Sequence, residues 1–334
     1  MPADENFGDD TLARVAARYA VAITPEMEAL IDPDDPNDPI ASQFRPDPRE
    51  LHTRSDERAD PIGDAAHSPC PGIVHRYPDR CLLTPVHVCA VYCRYCFRRE
   101  VVGPQGDGML AATELETAFD YIGTHPELWE VIVSGGDPLV MSPRRIGAIT
   151  TRLDAFAHVK IQRWHTRVPI VAPERIDTEM CAALRSSKAA SWVVVHANHP
   201  RELTPAVREA LARLVDAGIP LLAQSVLLKG VNDDPATLEA LLRALVESRV
   251  KPYYLHHLDK APGTAHFRCT LRQGRALVRS LRGHVSGLAQ PTYVLDIPGG
   301  AGKSVVAEAD LREAADGYEV CDRNGTWHFL PATD

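Results

Sequence analysis

The sequence predicts an α/β protein built around a parallel sheet of about six strands that forms a partial or closed barrel. From Arg80 onward, short apolar runs rich in β-branched residues alternate with longer segments that repeat apolar residues at helical spacing. Each strand and helix pair spans roughly 30 residues, the length of one βα unit with short loops. Such alternation favours parallel strands covered by helices, and six units favour a barrel over a flat sheet.

The predicted strands and helices alternate without interruption. The strands begin at Cys81, Val131, Val159, Ser191, Pro220 and Lys251, and the intervening helices begin at Thr113, Pro143, Asp177, Pro205 and Pro235. In barrels and open sheets alike, polar residues at the carboxyl ends of strands are placed to act on a ligand. Such residues follow each predicted strand and predict one shared site: His87, residues 134–137, residues 165–167, residues 196–199, Gln224 and residues 256–259.

Three regions are predicted along the chain. Residues 1–72 are expected to form a helical and extended cap: a helical pattern from Asp10 to Leu30 breaks at Thr24-Pro25 and is followed by proline and acid clusters. These clusters favour extended, solvated chain over a packed element. Residues 73–304 form the barrel, and residues 305–334 a short C-terminal extension.

Composition limits the classes of function. The chain of 334 residues has 36 Lys and Arg against 45 Asp and Glu, a formal net charge of −9, which argues against a nucleic-acid binder. No apolar run approaches the roughly 18 residues of a membrane span, and the acidic start does not have the basic and apolar regions of a signal peptide. We therefore expect a cytoplasmic protein. In a reducing compartment, the eight cysteines suggest a metal rather than disulfides.

Cys89, Cys93 and Cys96 form a CxxxCxxC motif directly after the first barrel strand. Three thiolates on one short loop suit a soft metal or an iron-sulfur cluster. A closed zinc site needs a fourth ligand, which His87 or Cys81 could supply, so a zinc-dependent interaction protein is an alternative. An incomplete set suits a four-iron cluster with one iron open to substrate. Arg94, Arg98 and Arg99 are expected to favour the thiolates and stabilise an anionic cluster.

The motif resembles the signature of the radical S-adenosylmethionine enzymes. Tyr95 before the last cysteine strengthens the resemblance, as does the SGGDP segment after the second strand. The resemblance implies a 4Fe-4S cluster whose open iron is chelated by S-adenosylmethionine. It also implies that a glycine-rich segment holds the methionine amino group, here Ser134, Gly135, Gly136 and Asp137.

A second glycine-rich segment, DIPGGAGKS, runs from Asp296 to Ser304. A phosphate-binding P-loop would need glycine at the position of Ile297, so that interpretation fails. Glycines allow the backbone to approach a planar ligand, and Lys303 supplies an amine that can form a Schiff base.

With RYPDR from Arg76, YYLHHLDKAPGTAHF from Tyr253 and LRGHVSG from Leu281, the chain resembles the lysine 2,3-aminomutase family from about Gly72 to Lys303. The resemblance implies a partial (β/α)6 barrel and pyridoxal 5'-phosphate held by Lys303. It places Arg76, Tyr77 and Arg80 beside that cofactor, where cations suit its phosphate. It further implies that His196, Gln224 and Arg167 line the S-adenosylmethionine site.

The resemblance also implies the reaction, a 2,3-migration of the amino group of an amino acid. Arg98 matches the arginine that pairs with the substrate α-carboxylate, and Asp259 and Asp296 match two aspartates that hold the distal ammonium of L-lysine. Two carboxylates facing one site favour lysine over glutamate, whereas arginine remains an alternative.

An external electron donor is expected, of a kind that the sequence does not identify. The residues after Lys303 resemble the shorter members associated with elongation factor P rather than the cysteine-rich, zinc-binding tail of catabolic lysine mutases, so we do not expect that zinc site. Self-association and the biological role of the product are therefore left open.

Overall fold

The computed structural model describes residues 9–103, 108–307, 311–322 and 324–331. A nine-stranded sheet dominates these residues. Its strands are β1 (Ile73–Tyr77), β2 (Arg80–Val86), β3 (Glu130–Gly135), β4 (Ile161–Thr166), β5 (Ala190–His196), β6 (Leu221–Leu227), β7 (Val250–His257), β8 (Thr292–Ile297) and β9 (Gly302–Val305). The described helices are α1 (Asp9–Arg18), α2 (Pro25–Glu28), α3 (Pro39–Phe44), α4 (Ala112–Thr124), α5 (Pro143–Asp154), α6 (Val168–Val171), α7 (Thr178–Leu184), α8 (Pro205–Asp216), α9 (Pro235–Glu247) and α10 (Leu271–Leu281).

The strands follow one another around the sheet in chain order and form a nearly closed barrel. Strands β2 to β8 are parallel, while β1 pairs antiparallel with β2 and β9 pairs antiparallel with β8. The predicted α/β barrel class is confirmed. The sheet has one parallel strand more than the six predicted, because residues 292–297 also form a strand.

The parallel strands are apolar because helices cover them. Val193, Val194 and Val195 of β5 are completely buried, and so are Val131 and Val133 of β3. Strands buried on both faces show continuous apolar runs rather than alternation, which is why the sequence reveals them. The helices contribute buried leucine and isoleucine side chains to the same core.

Side-chain caps fix where three of the covering helices begin. Asp177, Thr204 and Asp234 accept hydrogen bonds from backbone N–H groups in the first turns of α7, α8 and α9. Such caps satisfy N–H groups that the helix itself leaves without a partner. Each of these loops is therefore fixed at one end by a strand and at the other end by a capped helix.

The proline- and acid-rich segment after α2 differs from the prediction. It was expected to be extended and solvated, but α3 lies within it and Phe44 and Glu50 are completely buried. Asp38 caps α3 through the backbone N–H groups of Ile40 and Ala41. Pro39 begins α3, and Asp38 and Glu50 accept hydrogen bonds from other residues of the protein. The segment is therefore packed from Asp38 to Phe44 and at Glu50, while residues 32–37 and 52–56 are exposed as predicted.

The C-terminal residues form a small antiparallel sheet of β10 (Leu311–Ala314), β11 (Gly317–Cys321) and β12 (Trp327–Pro331). Arg279 of α10 donates a hydrogen bond of 2.7 Å to Cys321 Sγ of β11. The proposed boundaries at residues 72 and 304 remain predictions. Among the described helices, none has the length and apolar character needed to cross a membrane.

Candidate active site

A cavity of about 600 Å³ extends along the inner side of the sheet, from Glu130 at the beginning of β3 to Gly135 at its end. His87, which was expected among the polar residues of the site, is not part of its lining. The cavity brings together every cofactor and substrate residue predicted from the sequence: Arg76, Tyr77, Arg80, Cys89, Cys93, Cys96, Arg98, Ser134, Gly135, Gly136, Asp137, Arg167, His196, Gln224, Asp259, Asp296 and Lys303. Their individual roles remain predictions.

The cysteine loop is held by the N-terminal segment. The backbone N–H of Tyr92 donates to Ala22 O at 3.0 Å, and that of Arg94 donates to Gln43 O at 2.8 Å. Burial raises the pKa of the Cys89 thiol and raises the pKa of the Cys96 thiol to about 11.

Two of the arginines near the cysteines share a buried acid, Glu50. Arg94 Nε and Nη2 donate to the two carboxylate oxygens of Glu50 at 2.9 and 2.5 Å, and Arg99 pairs with the same carboxylate. Glu50 is completely buried, so it neutralises part of this charge inside the protein. These two arginines anchor the cysteine loop to the N-terminal segment. Burial is the larger effect and raises the pKa of the Cys96 thiol, while the charges of Arg98 and Arg99 lower it, in the direction expected of them.

The glycine-rich segment packs directly against the base of the cysteine loop. Gly136 N–H donates to Val86 O at 2.7 Å, and Asp137 N–H donates to Val88 O at 2.9 Å. A Cβ atom on Gly136 would lie 2.3 Å from Val88 O, so only glycine fits. The segment must have glycine here in order to approach the cysteines.

The Asp137 carboxylate is an internal anchor. It accepts hydrogen bonds from Thr166 Oγ1 at 2.6 Å and from Arg167 N–H at 2.6 Å, while burial raises its pKa. Asp137 therefore joins the end of β3 to the end of β4.

Arg167 joins the cysteine loop to the segment that follows β5. It donates to Cys93 Sγ at 2.9 Å and to Glu202 Oε2 at 2.7 Å, and it also contacts the Tyr95 hydroxyl. The Tyr95 hydroxyl lies 2.9 Å from His196 Nε2, and the two rings stack. This buried arginine thus has protein partners on both sides.

Arg76 and Arg98 share the carboxylate of Asp64, which belongs to none of the sequence motifs. Asp64 Oδ1 accepts from Arg76 Nη2 at 2.8 Å, and Asp64 Oδ2 accepts from Arg98 Nη2 at 2.9 Å. Nothing in the sequence around Asp64 marks it as a site residue.

The Tyr77 hydroxyl accepts a hydrogen bond of 2.8 Å from the backbone N–H of Lys303, and the Arg80 guanidinium stacks on the Tyr77 ring.

Two acids and one amine meet at the end of β8. Lys303 Nζ lies 2.8 and 2.9 Å from the two oxygens of Asp296, and His256 Nδ1 lies 3.7 Å from the same carboxylate. Although burial opposes ionisation, the nearby His256 and the Lys303 ammonium lower the pKa of Asp296 to about 2. Burial and the charge of Asp296 raise the pKa of Asp259 to about 7.

The donor sets fit the cofactors implied by the resemblance. No group of three His, Cys, Asp or Glu side chains in the described ranges is arranged to hold a single ion. A four-iron cluster binds each thiolate at a different iron, so its cysteines need not converge on one point. Arg76 Nε and His165 Nε2 are buried without a hydrogen-bond partner among the described residues, and polar cofactor groups would satisfy them. Arg76, Arg80 and Tyr77 suit the phosphate group of pyridoxal phosphate. The Lys303 amine suits the aldehyde group of the same cofactor.

Comparison with known proteins gives consistent matches. Residues 83–242 match the Radical SAM superfamily, and residues 278–316 match the family described as Lysine-2,3-aminomutase. The chain is 41% identical to L-lysine 2,3-aminomutase of Clostridium subterminale over 89% of its own length and 71% of the relative's.

Shorter and more distant relatives agree. The chain is 38% identical to L-lysine 2,3-aminomutase of Escherichia coli (strain K12) over 86% of its own length and 83% of the relative's. It is 36% identical to glutamate 2,3-aminomutase of Clostridioides difficile (strain 630) over 88% and 69% of the two chains. The chain therefore belongs to the lysine 2,3-aminomutase family of radical S-adenosylmethionine enzymes, a family of isomerases whose cofactors are a 4Fe-4S cluster, S-adenosylmethionine and pyridoxal phosphate.

Proposed function

We propose that the protein converts L-lysine to β-lysine by moving the amino group from C2 to C3. The observation that carries the choice of substrate is the position of the Lys303 ammonium on Asp296, with a second, half-buried carboxyl at Asp259. This end of the cavity already accepts one primary ammonium. A second acid beside it gives a substrate ammonium a carboxylate partner.

Electrostatics favour a cationic side chain at this end. A pKa of about 7 for Asp259 reflects burial and the negative charge of Asp296, both of which disfavour a second anion. The distal carboxylate of glutamate would add a third acid to the same place. The distal ammonium of lysine would instead allow both aspartates to be ionised, since a buried charge needs a partner of opposite sign.

Other residues of the cavity support binding of carboxylate and phosphate groups. Arg98 Nη1 has no hydrogen-bond partner in the described part of the chain, so it can donate to the substrate α-carboxylate. Arg76, Arg80 and Tyr77 would hold the phosphate of pyridoxal phosphate, and Lys303 would hold the cofactor by its amine.

Three more groups of residues complete the proposed site. Cys89, Cys93 and Cys96 would bind the cluster. The segment Ser134 to Asp137 would bind S-adenosylmethionine, together with His196 and Gln224. When bound, these cofactors supply one-electron chemistry, and pyridoxal phosphate supplies a carbonyl for the amino group and a ring that delocalises the unpaired electron.

Arg167 would also lie beside S-adenosylmethionine. Its contacts with Cys93 and Tyr95 indicate that it holds these two residues in place. The protein orients the reacting groups and excludes water from the cavity. An external reductant must supply the electron, and the need for reduced thiols supports a cytoplasmic location.

Two alternatives have less support. Arginine also carries a cationic group that pairs with two carboxylates, so it is a second candidate substrate. A zinc-dependent interaction protein would need a closed set of ligands around one ion, and the described residues contain no such set.

The test is anaerobic turnover of a mixture of L-lysine, L-glutamate and L-arginine. The reaction contains reconstituted enzyme, S-adenosylmethionine, pyridoxal phosphate and a reductant, and the β-amino acids are separated afterwards. We expect β-lysine as the product. A different β-amino acid would refute the assignment of the two aspartates, and protein that contains zinc but no iron after anaerobic purification would refute the enzyme itself.

A further inference from the structure

We propose that Asp64 is a positioning residue that holds Arg98 for the substrate carboxylate, an inference that rests on the function proposed above. Asp64 lies in residues 60–67, which we call the strap. The strap precedes β1 and lies outside the motifs that identify the family.

The strap places one carboxylate between two cations of the cavity. Asp64 Oδ2 accepts hydrogen bonds from Arg98 Nη2 at 2.9 Å and from Arg98 Nε at 3.3 Å. Asp64 Oδ1 accepts from Arg76 Nη2 at 2.8 Å, and Arg76 Nη1 lies 4.0 Å from Asp296 Oδ1. Charges of alternating sign therefore run across the cavity through Arg98, Asp64, Arg76, Asp296 and Lys303.

The strap cannot easily move out of the way of a substrate. Asp60 accepts hydrogen bonds from the backbone N–H groups of Asp64 and Ala65, both at 2.9 Å. A Cβ atom on Gly63 would lie 2.7 Å from the backbone of Gly299 and of Gly300, in the loop that leads to Lys303. Because the backbone is packed this closely, we infer that Asp64 stays in place when substrate binds.

The two arginines depend on Asp64 to different extents. Arg76 Nη2 also donates to Ile62 O at 2.8 Å, so it keeps one anchor without Asp64. Arg98 has Asp64 as its hydrogen-bond partner and no other among the described residues. Asp64 occupies Nε and Nη2 of Arg98 and leaves Nη1 for the substrate. Losing the Asp64 charge should therefore weaken the binding of lysine more than that of pyridoxal phosphate.

The experiment compares the Asp64→Asn, Asp64→Glu and Asp56→Asn variants as reconstituted holoenzymes. Asp56→Asn removes an acid from the same N-terminal segment that pairs with Lys260 and Arg268 instead. For Asp64→Asn we expect the KM for L-lysine to rise about tenfold with kcat unchanged within about twofold, because the lost interaction is made equally in the ground and transition states. Asp64→Glu keeps the carboxylate and should restore most of the affinity, while Asp56→Asn should match the parent enzyme.

Two further measurements separate positioning from a general structural effect. The dissociation constant of pyridoxal phosphate, followed by its absorbance, should change less than the KM for lysine. The inhibition constant of L-lysinamide, which has no carboxylate, should be the same in Asp64→Asn and the parent enzyme. If Asp64→Asn weakened the binding of lysinamide as much as the binding of lysine, Asp64 would not act through the substrate carboxylate.

The sign of the effect decides between positioning and competition. A KM for lysine that stays the same or falls in Asp64→Asn would overturn the inference, and a fall would mean that Asp64 competes with the substrate for Arg98. An Arg98→Gln variant keeps this result separate from the proposed function. If Arg98→Gln weakens lysine binding and Asp64→Asn does not, Asp64 alone is wrongly assigned. If neither does, the assignment of the carboxylate to Arg98 is wrong as well.

Discussion

Asp296 and Lys303 are directly opposite each other in the antiparallel β8–β9 pair, and their side chains form an ion pair with Nζ 2.8 Å from Oδ1. The glycine-rich turn between the strands makes this pairing possible, because Gly299 and Gly300 adopt positive φ angles. The amine proposed to hold pyridoxal phosphate and an acid proposed to hold the substrate thus belong to one hairpin. With Lys303 holding the cofactor, Asp296 would be available for another ammonium.

The cofactor lysine and the cluster cysteines should be separable by substitution. We expect Lys303→Ala to abolish the long-wavelength absorbance of bound pyridoxal phosphate and to leave the iron content unchanged. Cys93→Ala should do the reverse, because the two groups lie on different elements of the cavity wall. Lys188→Ala, at an exposed turn, is the matched control. Loss of both signals in both variants would mean that there are not two separate sites.

Asp296 should contribute more to binding lysine than to binding cofactors. Because Asp296→Asn leaves a buried ammonium with one carboxylate fewer, we expect the KM for L-lysine to rise by about 30-fold or more. Steady-state kinetics give the KM, and absorbance titration gives the affinity for pyridoxal phosphate. If the two affinities fell equally, Asp296 would not be specific for the substrate ammonium.

Asp259 should make lysine binding depend on pH. Below its pKa of about 7 the carboxyl of Asp259 is protonated, and an incoming ammonium must displace that proton. Lysine affinity should therefore be constant above pH 7 and fall by up to about tenfold per pH unit below it.

The neighbouring histidines should not mask this dependence. Burial lowers the pKa of His165 and of His256, so neither is expected to titrate near pH 7. The measurement is the KM for lysine between pH 6 and pH 8, a range of about one pH unit on either side of the Asp259 pKa. In Asp259→Asn the dependence should disappear, and its persistence in that variant would assign it to another group.

Glu50 should stabilise the fold through the cysteine loop. Glu50→Gln leaves two buried arginines without their shared anion, and we expect the free energy of unfolding to fall by about 3–5 kcal/mol. Denaturant titration of the protein measures this change. Glu116→Gln is the control, since Glu116 pairs with Arg152 at the exposed surface and should cost less than about 1 kcal/mol. Equal effects of the two substitutions would contradict the buried pairing.

The sequence predicts the barrel because each strand and each helix is specified by residues that are adjacent in the chain. Valine-rich runs such as that of β5 must be apolar to be buried on both faces, and the capping residues Asp177, Thr204 and Asp234 stand directly before their helices. The cysteine motif and the glycine segment are also short and contiguous. The sequence does not predict strand β8, because its last residues, Asp296 and Ile297, also begin the glycine-rich segment.

The remaining parts of the site depend on partners far apart in the chain. Glu50 lies 44 residues before Arg94, and Asp64 lies 34 residues before Arg98. Asp and Pro around Phe44 and Glu50 favour solvated chain locally, but the ion pairs with Arg94 and Arg99 outweigh that preference. No local pattern distinguishes an acid that anchors a buried arginine from an acid in a solvated loop.

Turnover of L-lysine labelled with ¹⁵N at the α-amino group tests the proposed migration most directly. The reconstituted enzyme is incubated anaerobically with the labelled lysine, and NMR locates the label in the product. We expect β-lysine that carries ¹⁵N on C3 and an unlabelled distal amino group. Label that remains on C2 of unreacted lysine in an enzyme with full iron and pyridoxal phosphate content, or that appears on any other carbon, would contradict a lysine 2,3-aminomutase activity.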